Sequence, residues 1–176
     1  MSQFKSLRAA ALLGATLLGL SAPLGAAQAN THLIAFHSGY DAGTIVISMS
    51  QRKLYLVLED GRAIQYPVAV AKPGKEWLGP TRISGKYFHP DWAPPAIVKR
   101  DHPELPGMIP GGSPRNPMGV AAITLDRDEI AIHGTTSRMR ASIGSRASYG
   151  CIRMLNEDVA DLYGRVDVGT TVVMQP

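Results

Sequence analysis

A mainly β domain with one or two short helices and a long Pro/Gly-rich loop is predicted by three features of this 176-residue chain. Short β-branched or alternating segments recur between turn residues, helical spacing is confined to two brief stretches, and eight of the thirteen prolines crowd into residues 90–119. Apolar residues make up 45% of the chain and charged ones 18%, enough to bury a core and too apolar for a disordered protein. The length suits one compact unit.

The strand pattern opens over 44–49, continues over 53–58 with Leu54, Leu56 and Leu58 in alternation, and resumes over 63–71. Glu59, Asp60, Gly61 and Arg62 join the last two segments in a turn of the Asp-Gly type, which predicts a hairpin or meander. Residues 82–88, 120–125, 130–133 and 170–174 read as further short strands. The better helix begins at Asn156, an N-cap candidate, with Glu157 and Asp158 placed to favour the positive end of the helix dipole. Val159, Leu162 and Tyr163 then share a face, and the helix is expected to stop near Gly164. A second short helix is expected over 137–143, ended by Gly144. Between Pro90 and Gly119 the prolines, with Gly107, Gly111 and Gly112, predict neither a regular helix nor a central strand. A loop so long inside a compact domain is expected to form a packed wall of a binding site, anchored by Trp92, Ile97, Leu105, Met108 and Ile109.

Ahead of the strands lie Lys5 and Arg8, an apolar run from Ala9 to Leu20, and small residues ending in Ala27-Gln28-Ala29. That order reads as a secretory signal peptide over 1–29, leaving a mature domain over 30–176. The run is shorter than the ~20 apolar residues that span a bilayer, so no transmembrane segment is expected in the mature chain. The whole chain carries +4; removing the two basic and no acidic residues of 1–29 leaves +2, without the Lys/Arg blocks that bind nucleic acid. The single cysteine, Cys151, excludes an internal disulfide and a multi-cysteine zinc site. In an exported chain a lone thiol is either buried and inert or kept for its reactivity.

Residues 131–154 carry the chemical signal: His133 at the end of a short strand, then fourteen residues, then Ser148-Tyr149-Gly150-Cys151-Ile152-Arg153. A thiol becomes a nucleophile on losing its proton, and an imidazole can take that proton and return it to a leaving amine. Gly150 lets the backbone approach a substrate closely, and amides presented there can hold an oxyanion. By themselves, His133 and Cys151 read equally well as such a pair or as a packed cysteine under a turn with an unrelated surface histidine. His32, His37, His89 and His102 show no metal-ligand spacing. Trp77, Trp92 and Tyr87 read as packing residues.

The pattern of a histidine followed by glycine, a spacer, then Ser-x-Gly-Cys with Ile and Arg resembles the catalytic domain of the L,D-transpeptidases, the YkuD-type family, and more narrowly its ErfK/YbiS-like branch. It is matched at His133-Gly134-Thr135 and at Ser148–Arg153, and the resemblance runs on through Ile109-Pro110-Gly111-Gly112 and Asn116-Pro117-Met118-Gly119. A YkuD-type, β-sandwich-like domain is implied. So is a peptidoglycan L,D-transpeptidase, in which Cys151 attacks the third residue of a tetrapeptide stem, releases the terminal D-alanine and holds a thioester.

The resemblance makes His133 the base and then the acid, gives the Gly134 carbonyl the task of orienting the imidazole, and places amides around Gly150 and Cys151 at the oxyanion. No metal or cofactor is required. Arg153 is expected to bind a substrate carboxylate or to brace the loop, with Ser148 and Tyr149 as further substrate-side residues. Some relatives have histidine where Tyr149 stands, so base chemistry is assigned to His133 alone. Arg138, Arg140 and Arg146 stand in the same spacer; each taken singly reads as a solvated charge on an exposed loop, while together they could draw in an anionic stem peptide. The implied partners are peptidoglycan stem peptides and, as an alternative acyl acceptor, an outer-membrane protein; the implied location is the periplasm. Two competing readings are an L,D-carboxypeptidase or amidase that hydrolyses the same thioester, and a wall-binding module without catalysis.

Overall fold

The structure, a computed structural model, describes residues 32–176; the expected signal peptide, 1–29, lies outside the described residues. Four strands open the chain: β1 (His32–Ala35), β2 (Ile45–Ser48), β3 (Lys53–Val57) and β4 (Arg62–Pro67). β2, β3 and β4 form the expected antiparallel meander, with Val57 opposite Ala63 at the hairpin end. Asp60 and Gly61 both take positive φ there, 61° and 68°, the conformation Asp-Gly tolerates best. β1 had no signal in the sequence because its four residues are mostly exposed; it adds to β4 with Ile34 opposite Ala63.

The segment expected as one strand over 63–71 breaks after Pro67. β5 (Val70–Ala71) leaves the meander and pairs in parallel with β9 (Arg146–Ser148), beside the cysteine segment. β6 (Gly79–Phe88), β7 (Ala121–Leu125) and β8 (Ala131–His133) then run antiparallel to one another, and β10 (Ile152–Arg153) adds in parallel to β8. β11 (Thr171–Gln175) joins the two halves, parallel to β2 and antiparallel to β6. The result is one nine-stranded mixed sheet in the order β1-β4-β3-β2-β11-β6-β7-β8-β10, so the mainly β class is as expected.

One apolar cluster draws Ile45, Leu54 and Tyr66 from the first half and Ile83, Ile123 and Ile132 from the second. A smaller one on the opposite face, Val46, Tyr55, Val57 and Ala63, is covered by Ile34 and Phe36, with the Phe36 and Tyr55 rings stacked at 4.6 Å. Apolar cover on both faces is why β2 reads Ile-Val-Ile without alternation.

α1 (Ala96–Asp101) lies in the Pro-rich loop, where no regular helix was expected. Its six residues fit between Pro95 and Pro103, with Pro95 at the N-cap, where a missing N–H leaves no bond unmade. α2 (Asn156–Tyr163) lays Val159 and Leu162 on the main cluster, and Gly164 follows as expected. The cap differs, however: Leu155 is the N-cap residue, and Asn156 is drawn elsewhere by neighbouring backbone. The other expected helix is a 3₁₀ turn, Ser137–Ser142, in which Thr136 Oγ1 accepts from the Met139 N–H at 3.2 Å.

Candidate active site

β8 delivers His133 from the interior of the sheet, with Ala122 opposite on β7 and Arg153 opposite on β10. The parallel pairing places Cys151, one residue before β10, beside the start of β8. Both His133 and Cys151 line a single groove of about 900 Å³. The 90–119 loop supplies its far wall through Trp92, Ile97, Leu105 and Ile109, as expected. Met108, the other expected anchor, is instead 55% exposed.

His133 is buried, and its Nδ1 lies 2.8 Å from the Gly134 carbonyl and 3.1 Å from that of Pro117. Carbonyl oxygens only accept, so Nδ1 carries the proton and Nε2 holds the lone pair. Burial, reinforced by the positive charge of Arg153, pushes the imidazole pKa down to about 4 against the two carbonyl bonds, which act to raise it. The ring is therefore a neutral base near pH 7.

Cys151 is partly exposed, and its thiol donates to the Glu129 carbonyl at 3.4 Å. Burial pushes the thiol pKa above its ordinary value, while the Ala131 N–H and Arg153 favour the thiolate. At rest the two groups are thus a neutral thiol and a neutral imidazole lining the same groove. Ser148 is buried; its hydroxyl donates to the Cys151 carbonyl at 2.5 Å and accepts from the Gly150 N–H at 3.1 Å, closing the turn before the thiol. Gly150 has φ of 132°, and a Cβ there would collide with Ile130 Cδ1, so glycine is required twice over. Trp77 Nε1 donates to the Gly150 carbonyl at 3.0 Å. Tyr149 lines the groove, carries Lys72 Nζ 3.5 Å from its ring centre and donates to Asp101 Oδ2 at 2.9 Å, tying the cysteine turn to α1.

With this geometry in view, the family model for the L,D-transpeptidase catalytic domain matches residues 42–174. The chain belongs to the L,D-transpeptidase catalytic-domain family. It is similar to the probable L,D-transpeptidase ErfK/SrfK of Escherichia coli (strain K12), 35% identical over 137 residues that cover 73% of this chain and 42% of that protein. To the probable L,D-transpeptidase YbiS of the same strain it is 34% identical over 138 residues, 74% of this chain and 43% of that one. The chain thus spans less than half the length of these curated relatives. Among solved structures, an L,D-transpeptidase from Mycobacterium smegmatis has a TM-score of 0.60 at 16% identity, covering 76% of this chain and 58% of the other. The L,D-transpeptidase LdtMt1 in complex with imipenem has a TM-score of 0.55 at 16% identity over 75% and 58%. These two likenesses concern the fold.

Within this L,D-transpeptidase domain the spacer arginines separate. Arg140 forms a two-pronged pair with Glu157 at 2.7 and 2.9 Å and Arg146 pairs with Glu76, which leaves Arg138 as the member facing the groove. Arg153 also lines the groove, and among the described residues no carboxylate pairs with it. His102 lines the far wall, 3.5 Å from Glu104. Among the described residues no three His, Cys, Asp or Glu side chains are grouped to hold a metal ion.

Two asparagines were missed by the sequence reading. Asn116, 2% exposed, donates from Nδ2 to the carbonyls of Pro90, Ile109 and Pro110 and accepts the Met118 N–H at 2.9 Å, which gathers the wall loop around one amide. Asn156 Oδ1 accepts from Thr135 N–H at 3.0 Å and Val120 N–H at 3.3 Å, fastening the backbone that follows His133 to the residue that precedes β7. Both stand in segments the resemblance quotes or adjoins, but a side-chain amide gives no sign in sequence of which backbone groups it will satisfy.

Proposed function

We propose that this chain is an exported peptidoglycan L,D-transpeptidase working through Cys151 and His133. The observation that carries the reading is that His133, its Nδ1 held by two carbonyls, and Cys151 line one groove. The groove accepts an extended stem peptide. Cys151 Sγ attacks the carbonyl of the third stem residue as its proton passes to His133 Nε2. The oxyanion is held by backbone amides at the cysteine turn. As the C–N bond to the terminal D-alanine breaks, His133 returns the proton to the departing amine and a thioester remains. An acceptor amine, deprotonated by the same imidazole, attacks the thioester and releases the thiol. Gly134 orients the base, and Gly150 shapes the turn.

Arg153 supports carboxylate recognition, because a half-buried guanidinium without a protein counterion suits an anionic ligand that brings its own. The acceptor is a second stem peptide, giving a 3-3 cross-link, or an outer-membrane protein; the ErfK/YbiS likeness favours protein attachment. The order of Lys5 and Arg8, the apolar run and Ala27-Gln28-Ala29 supports a signal peptide over 1–29 and a periplasmic domain over 30–176. Among the described residues no helix is long and apolar enough to cross a membrane.

Purified protein incubated with tetrapeptide muropeptides and a candidate amine tests the reading by mass spectrometry. Amide-linked product and released D-alanine are expected from wild type and neither from Cys151→Ala, with the variant's melting temperature unchanged within a few degrees. Tripeptide alone would replace transfer by hydrolysis, and turnover retained in Cys151→Ala would end the thioester mechanism.

A further inference from the structure

We infer that Trp77 is a positioning residue that aims the oxyanion-binding amide of Cys151. The role rests on the acyl-transfer reading above and adds to it a residue outside the motif stretches 133–135 and 148–153.

Trp77 Nε1 donates to the carbonyl of Gly150 at 3.0 Å, and no peptide bond among the described residues is cis. In a trans peptide unit the carbonyl and the following N–H point in opposite directions across one plane. Capturing the Gly150 carbonyl therefore directs the Cys151 N–H away from the indole. Trp77 is not among the groove's lining residues, whereas Cys151 is, so the N–H is turned toward the groove side. Among the described residues no acceptor takes that N–H, although its neighbours are satisfied by Ser148 and by β8. It is an unspent donor adjacent to the nucleophile, where the oxyanion of an attacked carbonyl forms.

The peptide plane needs holding. Gly150, with φ of 132°, lacks the Cβ that restrains rotation of its carbonyl, so the unit preceding the thiol is the one most free to flip. A flip would exchange the donor for a carbonyl dipole of the wrong sign. Trp77 itself is fixed independently of the site. The Arg127 guanidinium sits 4.6 Å from its ring centre, Arg127 Nη2 donates to the Leu78 carbonyl at 3.1 Å, and the indole packs against the main apolar cluster. The indole N–H thus acts as a rigid stop on a flexible peptide.

Two thiol reactions separate this role from general damage. Imipenem acylates a cysteine by carbonyl attack and generates an oxyanion; iodoacetamide alkylates it at a saturated carbon and generates none. Trp77→Phe keeps ring packing and deletes the donor. Removal of an oxyanion donor costs about 10²–10³-fold in rate, so misaiming one predicts a fall in imipenem acylation of roughly tenfold or more, with iodoacetamide alkylation within about twofold of wild type. With a stem-peptide donor, kcat falls and KM is nearly unchanged. Should Trp77→Phe fail to fold, benzothienylalanine at position 77, which keeps the bicyclic shape and replaces N–H by sulfur, gives the same comparison. Equal acylation by wild type and variant, or acylation and alkylation falling together, overturns the positioning role alone. Wild-type protein that takes iodoacetamide but never imipenem overturns the acyl-transfer reading, and this role with it.

Discussion

Arg153 lies directly opposite His133 in the parallel pairing of β10 with β8, and its charge bears on both chemical groups of the site, lowering the pKa of the imidazole and favouring the thiolate of Cys151. One guanidinium thereby acts on both groups, adding to burial at the imidazole and opposing it at the thiol. Burial is the larger influence on each group, downward for the histidine and upward for the cysteine.

For Arg153→Lys we expect donor KM to rise about tenfold, because an ammonium cannot reproduce a two-pronged bond to a carboxylate. Arg153→Met should also raise the His133 pKa, read by NMR titration of the ring. Unchanged donor KM in both variants would assign Arg153 to bracing the turn.

His133 gives a pH signature in stability. Its folded pKa of about 4 lies below the ordinary 6.5, so between those values the unfolded chain binds the additional proton. The contribution is fully present above pH 6.5 and is lost as pH falls toward 4, amounting to about 3 kcal/mol. Denaturant titrations of wild type should weaken across this window more steeply than those of His133→Gln. Parallel curves would contradict the buried neutral ring.

Tyr149→Phe removes the hydroxyl bond to Asp101 and leaves the ring under Lys72. α1 has no buried residue, so this tie is a main restraint on it. Amide exchange over 96–101 should quicken severalfold while global stability changes by less than about 1 kcal/mol. Unaltered exchange would show that the wall loop holds α1 without it.

Gly134→Ala places a methyl group against Asn156 Oδ1 and the Gly119 backbone. We expect a loss of about 1–3 kcal/mol by denaturant unfolding. Because Asn156 is the group struck, Gly134→Ala combined with Asn156→Ala should cost less than the two separate losses together, and strict additivity would dismiss the clash.

The meander was legible because Leu54, Leu56 and Leu58 alternate locally and Asp60-Gly61 accept positive φ. The thiol and imidazole were legible as candidates because each stands in a short motif whose spacing survives in one dimension. Other features are long-range. The Trp77 to Gly150 bond spans 73 positions, and neither residue announces the other. Asn156 looked like a helix cap because local preference favours that use, but two backbone donors from separate segments claim its oxygen. α1 was hidden by flanking prolines, whose composition signals a break and says little about a six-residue helix between them.

By itself, then, the sequence determined the β character and the chemical types available at 133 and 151, since periodicity and motif spacing are properties of neighbouring residues. Only the tertiary structure decided that β11 closes the sheet between its halves, that parallel pairing of β10 with β8 sets Arg153 across from His133, and that one groove is lined by both His133 and Cys151. Burial and hydrogen-bond partners arise when distant segments exclude water together, so the protonation of His133 and the aim of the Cys151 amide follow from the fold.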